Sequence, residues 1–352
     1  MKMKKVAALV LTLAMVLTLA ACGGGTTSPD TSGDSTNTSN GGTAEDTVYN
    51  ITIGHGAAED TAQHQCALAI KEYLETNGNG RFKVTIFPNN QLGANREMTE
   101  AVLNGELTLM LTTSGTQTSF VPDCAVLDIP YSWSDTADME NTIEDEGFLA
   151  ALDASNQAAG FKLMMLTHRS FRQLSANKAI HTPDDCKGLV IRTQENAFQM
   201  KTWELCGANV TPLAFNELYT ALQQGTVEAQ ENSLELFVSQ AFYEQQDYFM
   251  KTNYLGDVGL WICNLDFYNS LPDDLREMFD YACKEVGLER NKEYCETSTQ
   301  EKEEFLTEYG CTIIDLTDEE REAFREAVSP VWDDIQNAVS SEVWDAYMAT
   351  LA

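Results

Sequence analysis

From residue 51 to residue 232, short apolar stretches alternate with amphipathic ones, and beyond Ser270 the pattern is almost entirely helical. This order narrows the fold more than any single residue does. Residues 51–53, 82–87, 107–111, 161–166, 189–191, 207–213 and 227–230 read as strands. Residues 61–76 read as a helix, with Ala62, Cys66, Ala69, Ile70 and Tyr73 near helical spacing. A second helix over 95–103 stops at Asn104-Gly105, and a third over 217–222 has Asn216 as its expected cap and Gly225 beyond its end. Alternation of this kind predicts α/β architecture, with mainly parallel sheets and helices on both faces. From Ser270-Leu271-Pro272 a helix is expected to run to about Glu308, spanning roughly 55 Å at 1.5 Å per residue. A helix of that length can bridge two lobes. Thr317 and Glu320 form a capping box, Ser329-Pro330 suits a further helix start, and Trp332 and Trp344 are expected to pack these last helices onto the body.

The N-terminus reads as an export signal. Lys2, Lys4 and Lys5 precede an apolar stretch over 6–19, shorter than the roughly 20 residues that a membrane span needs. Leu19-Ala20-Ala21-Cys22 then places small residues before a cysteine, the pattern of a lipoprotein signal peptide over 1–21 with Cys22 as the lipidation site. Two acyl chains suffice for stable anchoring. Residues 22–46 are rich in Gly, Ser, Thr, Asn and Asp, cannot bury apolar surface, and read as a disordered tether. The folded body is expected outside the cytoplasmic membrane, lipid-anchored to it.

Acidic side chains number 54 against 22 basic ones, a net charge of -32. That excludes nucleic acid, whose phosphates need a basic face, and argues against electrostatic binding to anionic lipid. Besides Cys22 there are Cys66, Cys124, Cys186, Cys206, Cys263, Cys283, Cys295 and Cys311, none in a CxxC pair. Most lie in apolar surroundings, so free buried thiols are the expected state. The histidines His55, His64, His168 and His181 have no metal-ligand spacing.

No nucleophile elbow, zinc-protease motif, phosphate loop or dinucleotide fingerprint occurs, so no enzymatic activity and no cofactor or metal is expected. Arginines stand out instead. Arg169 and Arg172 follow the strand over 161–166, and Arg192 ends the strand over 189–191. Ligands of open α/β sheets bind beyond the carboxyl ends of strands, where a guanidinium can clamp a carboxylate through two parallel hydrogen bonds.

Several ordered motifs carry a family resemblance. They are Gly188-Leu189-Val190-Ile191-Arg192; Gly207-Ala208-Asn209-Val210-Thr211-Pro212-Leu213-Ala214-Phe215; Glu217-Leu218-Tyr219-Thr220-Ala221-Leu222-Gln223-Gln224-Gly225; and Gln230-Glu231-Asn232. The PNNQLG segment over 88–93, Asp128-Ile129-Pro130-Tyr131 and Phe171-Arg172-Gln173 add to them. From Ile51 to about Ile335 the chain resembles the solute receptors of tripartite ATP-independent periplasmic (TRAP) transporters, whose usual forms are close to GLKIR, GA-x-PTPMAF, ELY-x-ALQ-x-G and DGQEN. This chain departs at Val190 for the GLKIR lysine and at Ala229 for the DGQEN glycine.

The resemblance implies a two-lobed periplasmic-binding-protein fold with a hinge and a long bridging C-terminal helix. Lobe I is expected over 47–169 plus 258–297, and lobe II over 170–257 plus 298–352. It implies an organic acid ligand, such as a C4-dicarboxylate, a uronate or a related sugar acid, delivered to TRAP permease subunits in the membrane. Arg192 is the expected carboxylate clamp, Arg172 a second contact, Asn232 a hydrogen-bonding partner near the hinge, and Phe215 a pocket wall. Thr113 stands where some acid-sugar receptors carry a carboxylate, which favours a smaller or differently decorated acid. His55 and Glu59 are expected to reach the ligand from the other lobe, and Trp261, Trp133 and Trp203 are candidate walls. An alternative reading is the solute-binding lipoprotein of an ABC importer or of a sensor system.

Overall fold

The computed structural model describes residues 47–351. The signal peptide, Cys22 and the tether expected over residues 1–46 lie outside them. The first part of the chain builds β1 (Tyr49–Gly54), α1 (Ala62–Asn77), β2 (Phe82–Phe87), α2 (Asn95–Leu103), β3 (Leu109–Thr113), α3 (Ser114–Gln117), α4 (Thr136–Ile143) and α5 (Glu146–Ala158). Then come β4 (Phe161–Ala176), β5 (Val190–Thr193), α6 (Ala197–Leu205), β6 (Asn209–Pro212), α7 (Leu218–Gln223), β7 (Ala229–Asn232) and α8 (Leu234–Ser239). The remainder forms β8 (Tyr248–Asn264), α9 (Leu265–Ser270), α10 (Asp273–Tyr281), α11 (Leu288–Tyr309), β9 (Thr312–Asp315), α12 (Asp318–Val328), α13 (Pro330–Ala338) and α14 (Ser341–Thr350). Among the described residues no helix is long and apolar enough to cross a membrane.

The strands join one nine-stranded sheet in the order β2-β1-β3-β8-β4-β7-β5-β6, with β9 beside β8. At one end β1 runs parallel to β2 and β3; at the other β5 runs parallel to β6 and β7. The seams β3–β8, β8–β4 and β4–β7 are antiparallel, so the sheet is mixed rather than mainly parallel. Two strands of 16 and 17 residues, β4 and β8, cause this, because each runs the length of both lobes. Their register shifts between His168 and Phe171 and between Arg172 and Leu174. Ser170 (φ 66) and Asn253 (φ 49) take left-handed backbone conformations in this crossing region.

Side-chain alternation along these strands fills a core on each face. On β8, Leu260 and Ile262 join one buried cluster with Met110, Phe148 and Phe161, while Trp261 and Cys263 join another with Ile51, Ile53 and Leu109. In the second lobe Met250 and Leu174 pack with Trp203 and Phe324, and Phe249 packs with Phe237 and Leu306. The expected long helix forms as α10, a π-helical stretch Ala282–Gly287, and α11. Leu275 and Phe279 anchor it in the first lobe and Leu306 in the second. Beyond it, Phe324 and Val328 of α12 join the second lobe, whereas Val331, Ile335, Val343 and Tyr347 of α13 and α14 return to the first. The chain end therefore does not stay with lobe II as the expected 298–352 boundary has it. Thr317 and Glu320 make the expected capping box, and Pro330 takes the first turn of α13. Asn216 does not cap, because a 3-10 turn Phe215–Glu217 leads directly into α7.

Candidate functional site

The carboxyl ends of the parallel strands from both lobes face one cleft. It holds two adjoining cavities of about 40 and about 60 Å³ that share Asn95, Gln194 and Phe215. Gly56, Ala57, Leu111, Thr112 and Thr113 line it from the first lobe; Arg172, Asn232 and Leu236 line it with Arg169. Arg192, Leu213 and Ala214 line the adjoining part. The walls meet where the Thr113 hydroxyl donates to Gln194 Oε1 at 2.6 Å.

Arg192 leaves β5 flanked in register by Thr211 of β6 and Gln230 of β7, and it is 1% exposed. Its Nε and Nη2 both donate to the Leu213 carbonyl, at 3.1 and 2.7 Å. That fixes one edge of the guanidinium and leaves Nη1 with no hydrogen-bond partner among the described residues. The Phe215 ring lies 6.0 Å from the guanidinium carbon, within cation–π range. Burial lowers the Arg192 pKa to about 10, against a partly opposing field from Glu231. The group stays protonated at neutral pH, at a desolvation cost that an anion would offset.

Arg172 is held differently. It is 3% exposed, and Nε and Nη2 grip the two carboxylate oxygens of Glu231. Nη1 donates to Asp257 Oδ1 at 3.0 Å, and Nη2 also reaches Asn232 Oδ1 at 3.0 Å. Burial opposes its charge, yet Glu231 and Asp257 outweigh burial and hold it above the usual arginine range. Arg169 forks onto Asp257 through Nε and Nη2, both at 2.8 Å. Burial would raise the Asp257 pKa, but the two arginines push it well below the usual carboxylate range. Asn232 is set by this network and does not cap α8, whose first-turn flank is Ser233.

Of the residues expected at the ligand, the structure brings Arg192, Arg172, Asn232, Phe215 and Thr113 to one cleft. Five fall elsewhere. Trp261 is fully buried in the first-lobe core and donates Nε1 to Thr167 at 3.2 Å, so it is core, not wall. Glu59 is exposed on the surface and lines neither cavity. His55 is fully buried behind Gly56 and Ala57, with Nε2 3.1 Å from His64 Nδ1; burial and the His64 charge lower its pKa to about 3. Trp203 packs edge-on to Tyr254 at 5.0 Å and Trp133 donates to Thr142, so both also serve the core. The sequence reading missed Asn95 and Gln194. Gln194 follows Arg192 by two positions, the period that puts two side chains on one face of an extended strand, and that signal was available.

The bacterial extracellular solute-binding protein family 7 matches residues 53–338. The chain belongs to that family. A solute-binding protein of Verminephrobacter eiseniae is 32% identical over 292 residues, covering 82% of this chain and 84% of the relative. A TRAP periplasmic solute-binding protein of Desulfovibrio salexigens, solved with bound orotic acid, superposes with a TM-score of 0.82 at 26% identity over 86% of this chain and 98% of its own. Another from Shewanella oneidensis, solved with bound succinate, gives 0.81 at 25% identity, over 87% of this chain and 100% of its own. These are two-lobed TRAP solute-binding receptors, and the mixed α/β architecture here is theirs.

Proposed function

We propose that this chain captures an organic acid outside the cytoplasmic membrane and delivers it to the permease of a TRAP transporter. One observation carries the reading: Arg192, 1% exposed, has one guanidinium edge fixed on the Leu213 carbonyl and its Nη1 unpartnered among the described residues beside the cleft. A carboxylate bound across Nη1 and Nη2 is the partner this geometry fits. Phe215 packs against the cation, while Asn232, Thr113 and Gln194 supply neutral hydrogen-bonding groups around the rest of the ligand. Arg172 acts mainly by positioning Asn232, since its own charge is already matched. The lobes close about the β4 and β8 crossings near Ser170 and Asn253, shifting the population toward the closed form when ligand spans both walls. Cys22 anchors the receptor to the membrane through lipid, and residues 23–46 tether the body to it.

The test is calorimetric titration of an acid found by thermal-shift screening of a panel that includes succinate and orotate. Arg192→Ala is expected to cost on the order of 3 kcal/mol, roughly a hundredfold in affinity. Arg192→Lys keeps the charge but loses the fork, so it should fall between the two. Unchanged affinity in Arg192→Ala overturns the clamp.

A further inference from the structure

The buried arginines around the cleft can be assigned their partners one by one. Arg169 and Arg172 are met by Asp257 and Glu231 through five charge-assisted contacts, and the four groups cancel. Glu231 also accepts from the Tyr254 hydroxyl, and Glu235, 6% exposed, lies within the field of Arg169 and adds no positive charge. At the outer rim, Arg96 pairs with Glu100 at 3.4 Å and is more than half exposed, and Glu195 is exposed. Arg192 is thus the buried cation at the cavities that has no carboxylate partner among the described residues. The remaining lining groups that can face a ligand are amides, hydroxyls and apolar side chains: Asn95, Thr113, Gln194, Asn232, Leu111 and Leu236.

We infer that the cleft selects acids with a single carboxylate and an otherwise neutral body, and discriminates against dicarboxylates. The inference rests on the Arg192 clamp proposed above. One carboxylate neutralises Arg192. A second would be buried among neutral groups, where among the described residues every other lining cation already has a carboxylate partner: Arg169 and Arg172 on Asp257 and Glu231, and the exposed rim Arg96 on Glu100. An uncompensated buried charge is among the most costly things a site can hold, and the group would bind only by taking up a proton. On this reading the ligand is of the orotate kind, not the succinate kind.

Calorimetry at pH 7.5 with matched pairs tests it: succinate against succinamate, whose carboxamide replaces one carboxylate at nearly equal size, and glucarate against gluconate. Within any pair that binds, the monocarboxylate is expected to be tighter by roughly a hundredfold, the discrimination a neutral site makes against one unpaired charge. Glu231→Gln, which frees one positive charge on Arg172, should narrow that gap at least about tenfold. A dicarboxylate binding as tightly as its partner, with no proton uptake on comparing two buffers, overturns the inference. So does a gap that Glu231→Gln leaves unchanged in a variant that melts like the parent. If a dicarboxylate preference disappears in Arg192→Ala, the charge inference alone fails. If no acid of either class binds, the clamp reading fails and takes the inference with it.

Discussion

At the scale of single residues, Asp128 is the group with the sharpest consequence away from the proposed Arg192 clamp. It is 1% exposed and accepts from Ser114 Oγ at 2.8 Å, Thr118 Oγ1 at 3.4 Å, Asn196 Nδ2 at 2.8 Å and Gln199 Nε2 at 2.9 Å. It joins the first-lobe turn to the start of α6, where Asn196 Oδ1 caps the helix by accepting from the Phe198 and Gln199 amides. Burial raises the Asp128 pKa to about 6, and the donors from Gln199, Ser114 and Asn196 only partly counter it. A carboxyl whose folded pKa lies above its unfolded value stabilises the fold at low pH, and that contribution is lost as pH rises from about 4 through about 6. At 1.36 kcal/mol per pKa unit the loss is about 3 kcal/mol. Asp128→Asn removes the titration, so the stability difference between parent and variant should shrink by up to that amount between pH 4 and pH 7 in urea unfolding. Parallel profiles would show that Asp128 does not titrate there. The sequence announced Asp128 only as part of a turn motif, because its donors lie up to 71 positions away. Arg192 was legible for the opposite reason: strand, turn and motif around it are local. Arg172 was expected at the ligand from its strand-end position and the family resemblance, and it does line the cleft; its pairing with Glu231 and Asp257, 59 and 85 positions distant, leaves no local trace in the sequence.

Among elements, those with local signals were read well, and β2 and α2 were read with their observed limits. The two crossing strands were not. Beyond Leu166, β4 continues through Thr167, His168, Arg169, Ser170 and Arg172, which reads as a polar loop; it is a buried strand because β7 and β8 bring Glu231 and Asp257 against the arginines. In β8, Asn253, Gly256, Asp257 and Gly259 punctuate the pattern like a turn. Gly256 is needed because a Cβ there would sit 2.5 Å from the Trp133 ring, and Gly259 because one would sit 2.6 Å from Leu111. The bridging helix gives a testable case of the same close approach. At the end of its π-helical stretch, a Cβ on Gly287 would meet Ile70 at 2.9 and 3.0 Å and Cys66 Sγ at 3.1 Å, both fully buried in α1. Gly287→Ala gains up to about 1 kcal/mol of helix propensity. Overpacking the α1 contact costs about 1–3 kcal/mol. The variant should therefore melt lower, and Ile70→Val, which removes the Cδ1 methyl at 3.0 Å and lets the shortened side chain rotate away, should recover part of the loss in the double mutant. A Gly287→Ala protein that melts at or above the parent would mean that α1 and the bridging helix are not tightly packed there.

For the whole molecule, the net charge of -32 and the buried arginine act on different parts of the binding reaction. An approaching anion meets the field of the entire acidic surface first. At about 0.01 M salt that field extends roughly 30 Å, and at physiological ionic strength roughly 8 Å. Arg192 is 1% exposed and flanked by a charge-balanced network, so it projects little positive potential outward. Association should therefore speed up as salt is added, by a few-fold over that range, because repulsion is what salt removes. Dissociation breaks a contact buried from ions and should change little. Affinity for a monocarboxylate then rises with salt, the reverse of what a surface ion pair gives. Stopped-flow tryptophan fluorescence at several chloride concentrations separates the two rates, with the acid from the screen as ligand. An association rate that falls with salt would place an attractive field at the cleft mouth, and the rim pair of Arg96 and Glu100 would then be the first place to look for its source. A rate that rises identifies a receptor whose surface repels its ligand class, so that affinity comes from short-range contacts inside the cleft.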